Sequence, residues 1–266
     1  MDASATLLLV DTPRLLAWLG AWLWPLARIT GLVIAAPVFG YRALPARVRI
    51  GLVLVLSLVV APLAPPMPAI DPLSGAGLVT AAEQLLTGLV LGFAARLAFV
   101  VLEIAGQQIA QLMGLGFAAL ADPQNGIEVP VVGHFYLLLA TLVYLGLDGH
   151  LVLIRVLVES FQTLPVAAGG VGSEALWAVS GQAGWVFGAG LLIALPAMAA
   201  LLIVNLAFGV MARSAPQLNI LAVGFPITLL FGLVVMLFSL PTVIAGLEGL
   251  FERALGLAAG LVGGVR

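Results

Sequence analysis

Four polar side chains, Arg96, Glu103, Gln107 and Gln111, are spaced seven, four and four residues apart in a chain that is 63% hydrophobic. At about 100° per residue they fall on one face of a helix. A guanidinium, a carboxylate and two carboxamides at membrane depth are costly unless they face other protein or a water-filled path. The stripe runs straight into Met113-Gly114-Leu115-Gly116-Phe117 and on to the turn signal Asp122-Pro123-Gln124-Asn125-Gly126. Non-helical backbone is tolerated within a membrane only where it is buried in protein or lines a cavity. Residues 103–126 therefore predict a buried network that holds helices together, a lined and obstructed passage, or both. The glycines at 106, 114, 116 and 126 weigh toward the passage, because a purely structural network does not need them. An interior glycine costs a helix about 1 kcal/mol relative to alanine. So dense a cluster marks a segment that bends, fits a narrow space or moves. Met113 and Phe117 are then either the bulky, pliable groups that fill that space or ordinary core residues.

The remaining polar residues offer little chemistry. Arg155 and Glu159 are spaced as a local ion pair on one helix face. Asp148 and His150 precede them, and a proton relay through these groups is the sharper alternative. His134 stands alone after Gly133 and reads as a hydrogen-bonded histidine. Two histidines without cysteine do not make a zinc site. Asn205, inside a long apolar run, reads as interhelical glue, and Arg28 must find a partner or an interface. There is no His-Glu-x-x-His, no Gly-x-Ser-x-Gly and no Walker A loop. The carboxylates are scattered. The chain reads as a protein that is not an enzyme, with no cofactor and no metal, and self-driven ATP-dependent transport is excluded at the level of motifs.

The elements that must carry these residues follow from composition. Only 8% of the 266 residues are charged, against about 25% in soluble domains, and mean hydropathy is +1.23. This is the composition of an integral membrane protein. A net charge of -2 implies no nucleic-acid partner, and with no cysteine there is no disulfide. Acidic Asp2 and Asp11 at the start argue against a cleavable signal peptide. Apolar runs cover 15–40, 50–63, 78–102, 129–158, 175–212 and 218–247. A span takes about 20 residues, so 50–63 is short and 175–212 is long enough to be divided, with Pro196 as the expected break. The fold class is an all-α membrane protein of about six to eight hydrophobic helices, some broken or hairpin-like. We read it as one domain over 1–266 with a Gly-rich loop at 106–126. Arg42, Arg47 and Arg49 place their connector in the cytoplasm, yet either Arg213 or the pair Arg253 and Arg266 then falls outside. A miscounted helix or a non-standard membrane topology would each explain this. Gly88-x-x-x-Gly92, Gly184-x-x-x-Gly188 and Gly256-x-x-x-Gly260 are spacings that let helices approach closely, within the chain or between subunits.

Three stretches resemble the FliR family of flagellar type III export-gate components. The first is Arg28-Ile29-Thr30-Gly31, followed by Ala36-Pro37-Val38-Phe39-Gly40 and Leu44-Pro45-x-Arg47-x-Arg49-Ile50-Gly51. The second is Gln111-Leu112-Met113-Gly114-Leu115-Gly116-Phe117 with Asp122-Pro123-Gln124, and the third, the most specific, is Ala215-Pro216-Gln217-Leu218-Asn219-Ile220 with Gly224-Phe225-Pro226. They occur in the family's order and span most of the chain. The homologous virulence-type components (the SctT branch) tend to carry a different run where Gly224-Phe225-Pro226 stands here.

The resemblance implies a non-enzymatic subunit of the bacterial inner membrane and the flagellar basal body. One copy would assemble with FliP-like and FliQ-like subunits into a conical gate, much of it raised out of the bilayer plane. FlhB-like and FlhA-like export proteins and membrane lipid would be its neighbours, and unfolded flagellar proteins its cargo. It also implies a plug across the pore at the position of Gly114 to Gly126. On that reading Met113, Gly114, Gly116 and Phe117 form the constriction. Glu103, Gln107 and Gln111, below Arg96 on the same stripe, hold the plug's root, and Asp122, Pro123 and Gly126 shape its turn. A stand-alone secondary transporter or channel is the alternative. It should carry inverted repeats, and no convincing internal repeat is visible. A purely structural scaffold is the third class.

Overall fold

The computed structural model describes residues 12–41, 44–116, 131–166, 169–214 and 220–263, with side chains from residue 19 and, in the last segment, from residue 224. The described residues form α1 (Thr12–Ala35), α2 (Ala46–Val60) closed by a 3-10 turn (Ala61–Leu63), α3 (Gly75–Leu112), α4 (Val131–Gly146), α5 (Gly149–Thr163), α6 (Ser173–Ser180), α7 (Ala183–Ser214) and α8 (Ile220–Gly263). No strand occurs among them. Four helical segments are long and apolar enough to cross a membrane, and a fifth if α4 and α5 count together. This is a multi-pass, all-α membrane protein.

One expected boundary moves and another holds. The long apolar run is not divided at Pro196, which lies inside α7. The break falls at Gly181, whose N–H closes α6 by donating to the Trp177 carbonyl at 2.9 Å. A proline removes one N–H from a helix, and in a membrane bundle its neighbours can make good the loss. α8 likewise runs through Pro226 and Pro241. The run 129–158 is interrupted at Leu147 and Asp148, where Asp148-Gly149 reads as a turn signal in the sequence. Asp148 sits in the left-handed region at φ 56°, a conformation that aspartate tolerates better than most residues.

The chain divides into two compact units. The first comprises Met1–Arg96, Asp148–Gly181 and Glu252–Arg266. Its centre is a close crossing of α1 and α3. A methyl group on Gly88 would overlap the Arg28 carbonyl, and one on Gly31 would overlap the Leu85 carbonyl. The Gly88-x-x-x-Gly92 spacing thus has its partner helix inside the chain. Between apolar helices in lipid the attraction is close packing rather than exclusion of water, so backbone approach of this kind is what holds them.

Beside that crossing lies Arg28, fully buried. Its Nε donates to Gln84 Oε1 at 2.8 Å, and Nη2 donates to the same oxygen. Nη1 donates to the Ser160 carbonyl at 2.8 Å and to Ser160 Oγ at 3.0 Å, and Nη2 to the Leu164 carbonyl at 2.9 Å. Its Cζ stands 4.2 Å from the centre of the Phe161 ring. None of these partners among the described residues is a carboxylate. The charge is held by carbonyls at the C-terminal end of α5, where the helix dipole is negative, and by a π face.

The second unit comprises Leu97–Leu147 and Gln182–Phe251. Gly106 of α3 meets the backbone of Gly133 in α4, and Gly190 of α7 meets Val101 and Ile104 of α3. Phe99, Tyr144 and Phe251 form a mutual cluster, with ring centres 5.3–5.4 Å apart. This is the separation at which aromatic edges meet faces favourably.

Candidate functional site

α3 is buried on most of its circumference. One side remains exposed, and its character changes along the helix. Val79, Leu86 and Phe93 come first, then Arg96, Glu103 and Gln111, all exposed, with Gln107 half-buried among them. The polar stripe expected from spacing is therefore real and faces away from the chain's own core. It presents hydrogen-bond donors, acceptors and both signs of charge to whatever lies outside.

The stripe ends where α3 ends. Gly114 adopts φ 82°, which costs glycine nothing and a side-chain-bearing residue about 1–2 kcal/mol. The Gly114 N–H donates to the Gln111 carbonyl and the Leu115 N–H to the Ala110 carbonyl, each at 3.1 Å. These two bonds are the Schellman pattern that stops a helix. Gly114 thus has a local duty, to turn the chain out of α3. Residues 106–112 of the expected loop are helical, 113–116 form the turn, and no added methyl on Gly116 would meet a neighbour.

Met113 is 1% exposed and fills the space left by Gly232 of α8. The carbonyls at this end of α3 are also held. Asn205 Nδ2 of α7 donates to the Leu112 carbonyl at 3.1 Å. Thr228 Oγ1, which donates to the Phe225 carbonyl at 3.0 Å, lies 3.4 Å from the Met113 carbonyl. Within the chain the turn at 113–116 is thus anchored by Asn205, Thr228 and the Met113–Gly232 contact. Asn205 acts as the interhelical glue its position suggested. Thr228 and Gly232 were not singled out. Their signal in the sequence is faint: one hydroxyl and one glycine four residues apart in an apolar helix.

Phe117, Asp122, Pro123 and Gly126 lie outside the described residues. Met113, Gly114, Gly116, Gln111, Gln107 and Glu103 are brought to one end of one helix, with Arg96 farther back on the same side. Away from this site, Arg155 and Glu159 are exposed on α5.

The sequence pattern of the family described as "Bacterial export proteins, family 1" matches residues 19–254. The chain is 41% identical to the flagellar biosynthetic protein FliR of Pectobacterium carotovorum, over 92% of this chain and 94% of that protein. It is 37% identical to the Escherichia coli protein of the same name, over 96% and 98%. A more distant relative, the Bacillus subtilis FliR, is 28% identical over 87% and 90%.

Proposed function

Because the chain belongs to the bacterial export protein family 1, among the FliR flagellar biosynthetic proteins, we propose that it is a subunit of the flagellar type III export gate. In this reading it joins FliP-like and FliQ-like subunits around a pore for unfolded flagellar proteins, in the bacterial inner membrane at the flagellar basal body. FlhB-like and FlhA-like proteins are its further neighbours. The turn after α3 supplies a plug across that pore. The task is transport, carried by shape and polarity, and no bond is made or broken by this chain.

The observation that carries the reading is the mismatch between apolar length and burial in the last two helices. α7 buries five of its 32 residues, Val186, Gly190, Ala194, Ala197 and Leu201. α8 extends over 44 residues. At 1.5 Å per residue these helices run about 48 and 66 Å, against about 30 Å of bilayer hydrocarbon. Their bare apolar flanks, including Phe187, Leu192, Ile203, Leu206, Leu230 and Phe238, are too long to be covered by lipid alone at ordinary tilts. Other subunits supply the missing cover. A lone transporter has no use for such flanks.

The plug is supported by the outward polar stripe and by the anchored turn that follows it. The stripe gives the pore side its polarity. Asn205, Thr228 and Gly232 fix where the following segment starts.

Native mass spectrometry of the detergent-extracted chain, co-expressed with FliP-like and FliQ-like proteins of the same organism, tests the assembly. One copy in a defined hetero-oligomer is the expected result, and a monomer or homodimer that ignores those partners overturns it. Deleting 114–121 tests the plug separately. The assembled variant should leak small ions, and unchanged permeability sinks the plug while leaving the assembly standing.

A further inference from the structure

Residues 12–70 carry five arginines, at 14, 28, 42, 47 and 49, and no acid. Arg28 is satisfied inside the fold, but Arg47 and Arg49 are not. Both stand in the first turn of α2, which holds no acidic residue, and no side chain caps that turn. This is the unfavourable end of a helix for a cation, because the dipole there is already positive. A local rule broken without compensation inside the fold marks a functional place. Arg47 is exposed and has no partner among the described residues. Arg49 is half-buried, and its buried Nε has no acceptor. The described residues of the chain supply no negative charge here, so the compensating anion is an external one.

The rest of α2 decides which anion. The helix touches its own unit along Val53, Leu56, Ser57 and Val60. Below Arg47, on the same face, lie Ile50, Leu54 and Leu58, all exposed. One exposed face therefore passes from a guanidinium to uninterrupted hydrocarbon, as a bilayer leaflet passes from phosphate to acyl chain. The length agrees. With its closing 3-10 turn the apolar segment is Ala46–Leu63, 18 residues. At 1.5 Å per residue it runs about 27 Å, against about 30 Å of bilayer hydrocarbon. Lipid alone can cover this helix, in contrast to α7 and α8. Exposed Tyr41 is tied to the start of α2 by the Leu44 N–H, which donates to its carbonyl at 3.0 Å. A tyrosine beside arginines at the end of an apolar helix is the composition of a membrane interface.

We propose that the N-terminal end of α2 is a binding site for an anionic phospholipid. The phosphate pairs with Arg47 at the positive end of the helix, and the acyl chains lie along Ile50, Leu54 and Leu58. Arg49, on the other side of α2, adds to the positive field from its half-buried place. A zwitterionic lipid brings the same phosphate with its charge cancelled by choline, so the site discriminates by net charge. It does not depend on the assembly reading, since every residue involved belongs to one unit of this chain.

The test is photolabelling of the full-length, delipidated chain, reconstituted in an equal mixture of phosphatidylglycerol and phosphatidylcholine. One lipid or the other carries a photoactivatable group near its headgroup, and peptide mass spectrometry is the readout. The expected result is label within 44–58 that is about fivefold stronger from phosphatidylglycerol and falls toward parity at high salt. Arg47→Gln should bring the two lipids near parity with elution on size exclusion unchanged, and Arg47→Lys should keep the preference. Equal labelling of the unaltered chain overturns the anionic assignment. So does a preference that survives high salt, or that survives Arg47→Gln combined with Arg49→Gln. Label confined to α7 and α8 overturns the site. In membranes where the chain is co-expressed with FliP-like and FliQ-like proteins the label should persist, and its loss there would show that protein rather than lipid covers this face.

Discussion

α3 and the pair α7 and α8 are all apolar helices longer than a bilayer is thick, yet they are built in opposite ways. α3 buries most of its circumference and leaves one side bare, and that side turns polar from Arg96 onward. α7 buries one narrow line, Val186, Gly190, Ala194, Ala197 and Leu201, and leaves the rest of its mostly apolar surface half-buried or exposed. Up to Phe251, α8 buries a similar line, Gly224, Thr228, Gly232, Met236, Val243, Leu247 and Phe251, and beyond it Ala254, Leu255, Ala258 and Val262 are buried as well. The glycines follow this division. Gly88, Gly92, Gly106, Gly190 and Gly232 meet atoms of neighbouring segments, whereas Gly184, Gly188, Gly256 and Gly260 face open space. A finished core and an unfinished surface are thus written in the same residue type. The finished one holds the chain together, and the unfinished one waits for protein or lipid.

The sharpest way to break this contrast is at the inward glycines. Gly88→Leu drives a side chain into the Arg28 backbone and should cost about 3 kcal/mol or abolish folding, read as loss of the monodisperse peak in detergent. The outward Gly184→Leu should leave the isolated chain unchanged. If both variants behave alike, the division of the glycines is wrong. Arg28→Met comes next. It strips the Gln84 and Leu164 oxygens of the Arg28 donor, while the Ser160 carbonyl keeps the Leu164 N–H, and buried acceptors left unpaired cost about 1–3 kcal/mol each. A fall in thermal midpoint comparable to that of Gly88→Leu is expected, and an unchanged midpoint would mean that the cation is not a structural centre.

Smaller effects sharpen the comparison further. Asn205→Leu removes the bond to the Leu112 carbonyl and should cost about 1 kcal/mol. Its signature is local, as faster hydrogen exchange in residues 109–116 with the rest of α3 protected. Uniform exchange along α3 would show that the turn is not anchored there. Glu103→Gln should change the stability of the isolated chain by less than about 0.5 kcal/mol, because its side chain is exposed. It should nevertheless alter ion permeability or partner capture in the assembled complex. A change in the isolated chain without one in the complex would place Glu103 on the finished side of the molecule.

That Arg96, Glu103, Gln107 and Gln111 share one face of α3 was legible from spacing alone, because about 100° per residue fixes it; whether that face is buried or exposed was not. The tight packing of Gly88-x-x-x-Gly92 was legible as a possibility, but not its partner. Gly184-x-x-x-Gly188 carries the same letters and faces nothing. Pro196 was the natural place to divide a long apolar run, yet the helix continues through it and stops at Gly181. A proline's cost depends on whether neighbours satisfy the freed carbonyl, which a local pattern does not report. At the candidate site the polar stripe and Gly114 stood out, while Thr228 and Gly232, more than a hundred residues downstream of the turn they hold, did not.

By itself the sequence determined the class of this protein, the helical content, the polar side of α3 and the stop that follows it. Each rests on a local rule of period, composition or turn chemistry. Only the tertiary structure decided that Arg28 is a buried centre rather than an interfacial residue. Its partners lie 56 to 136 positions away, and a donor's partners across that distance are set by how helices pack. The same holds for Met113, one more apolar letter in the chain until Gly232 leaves it a place.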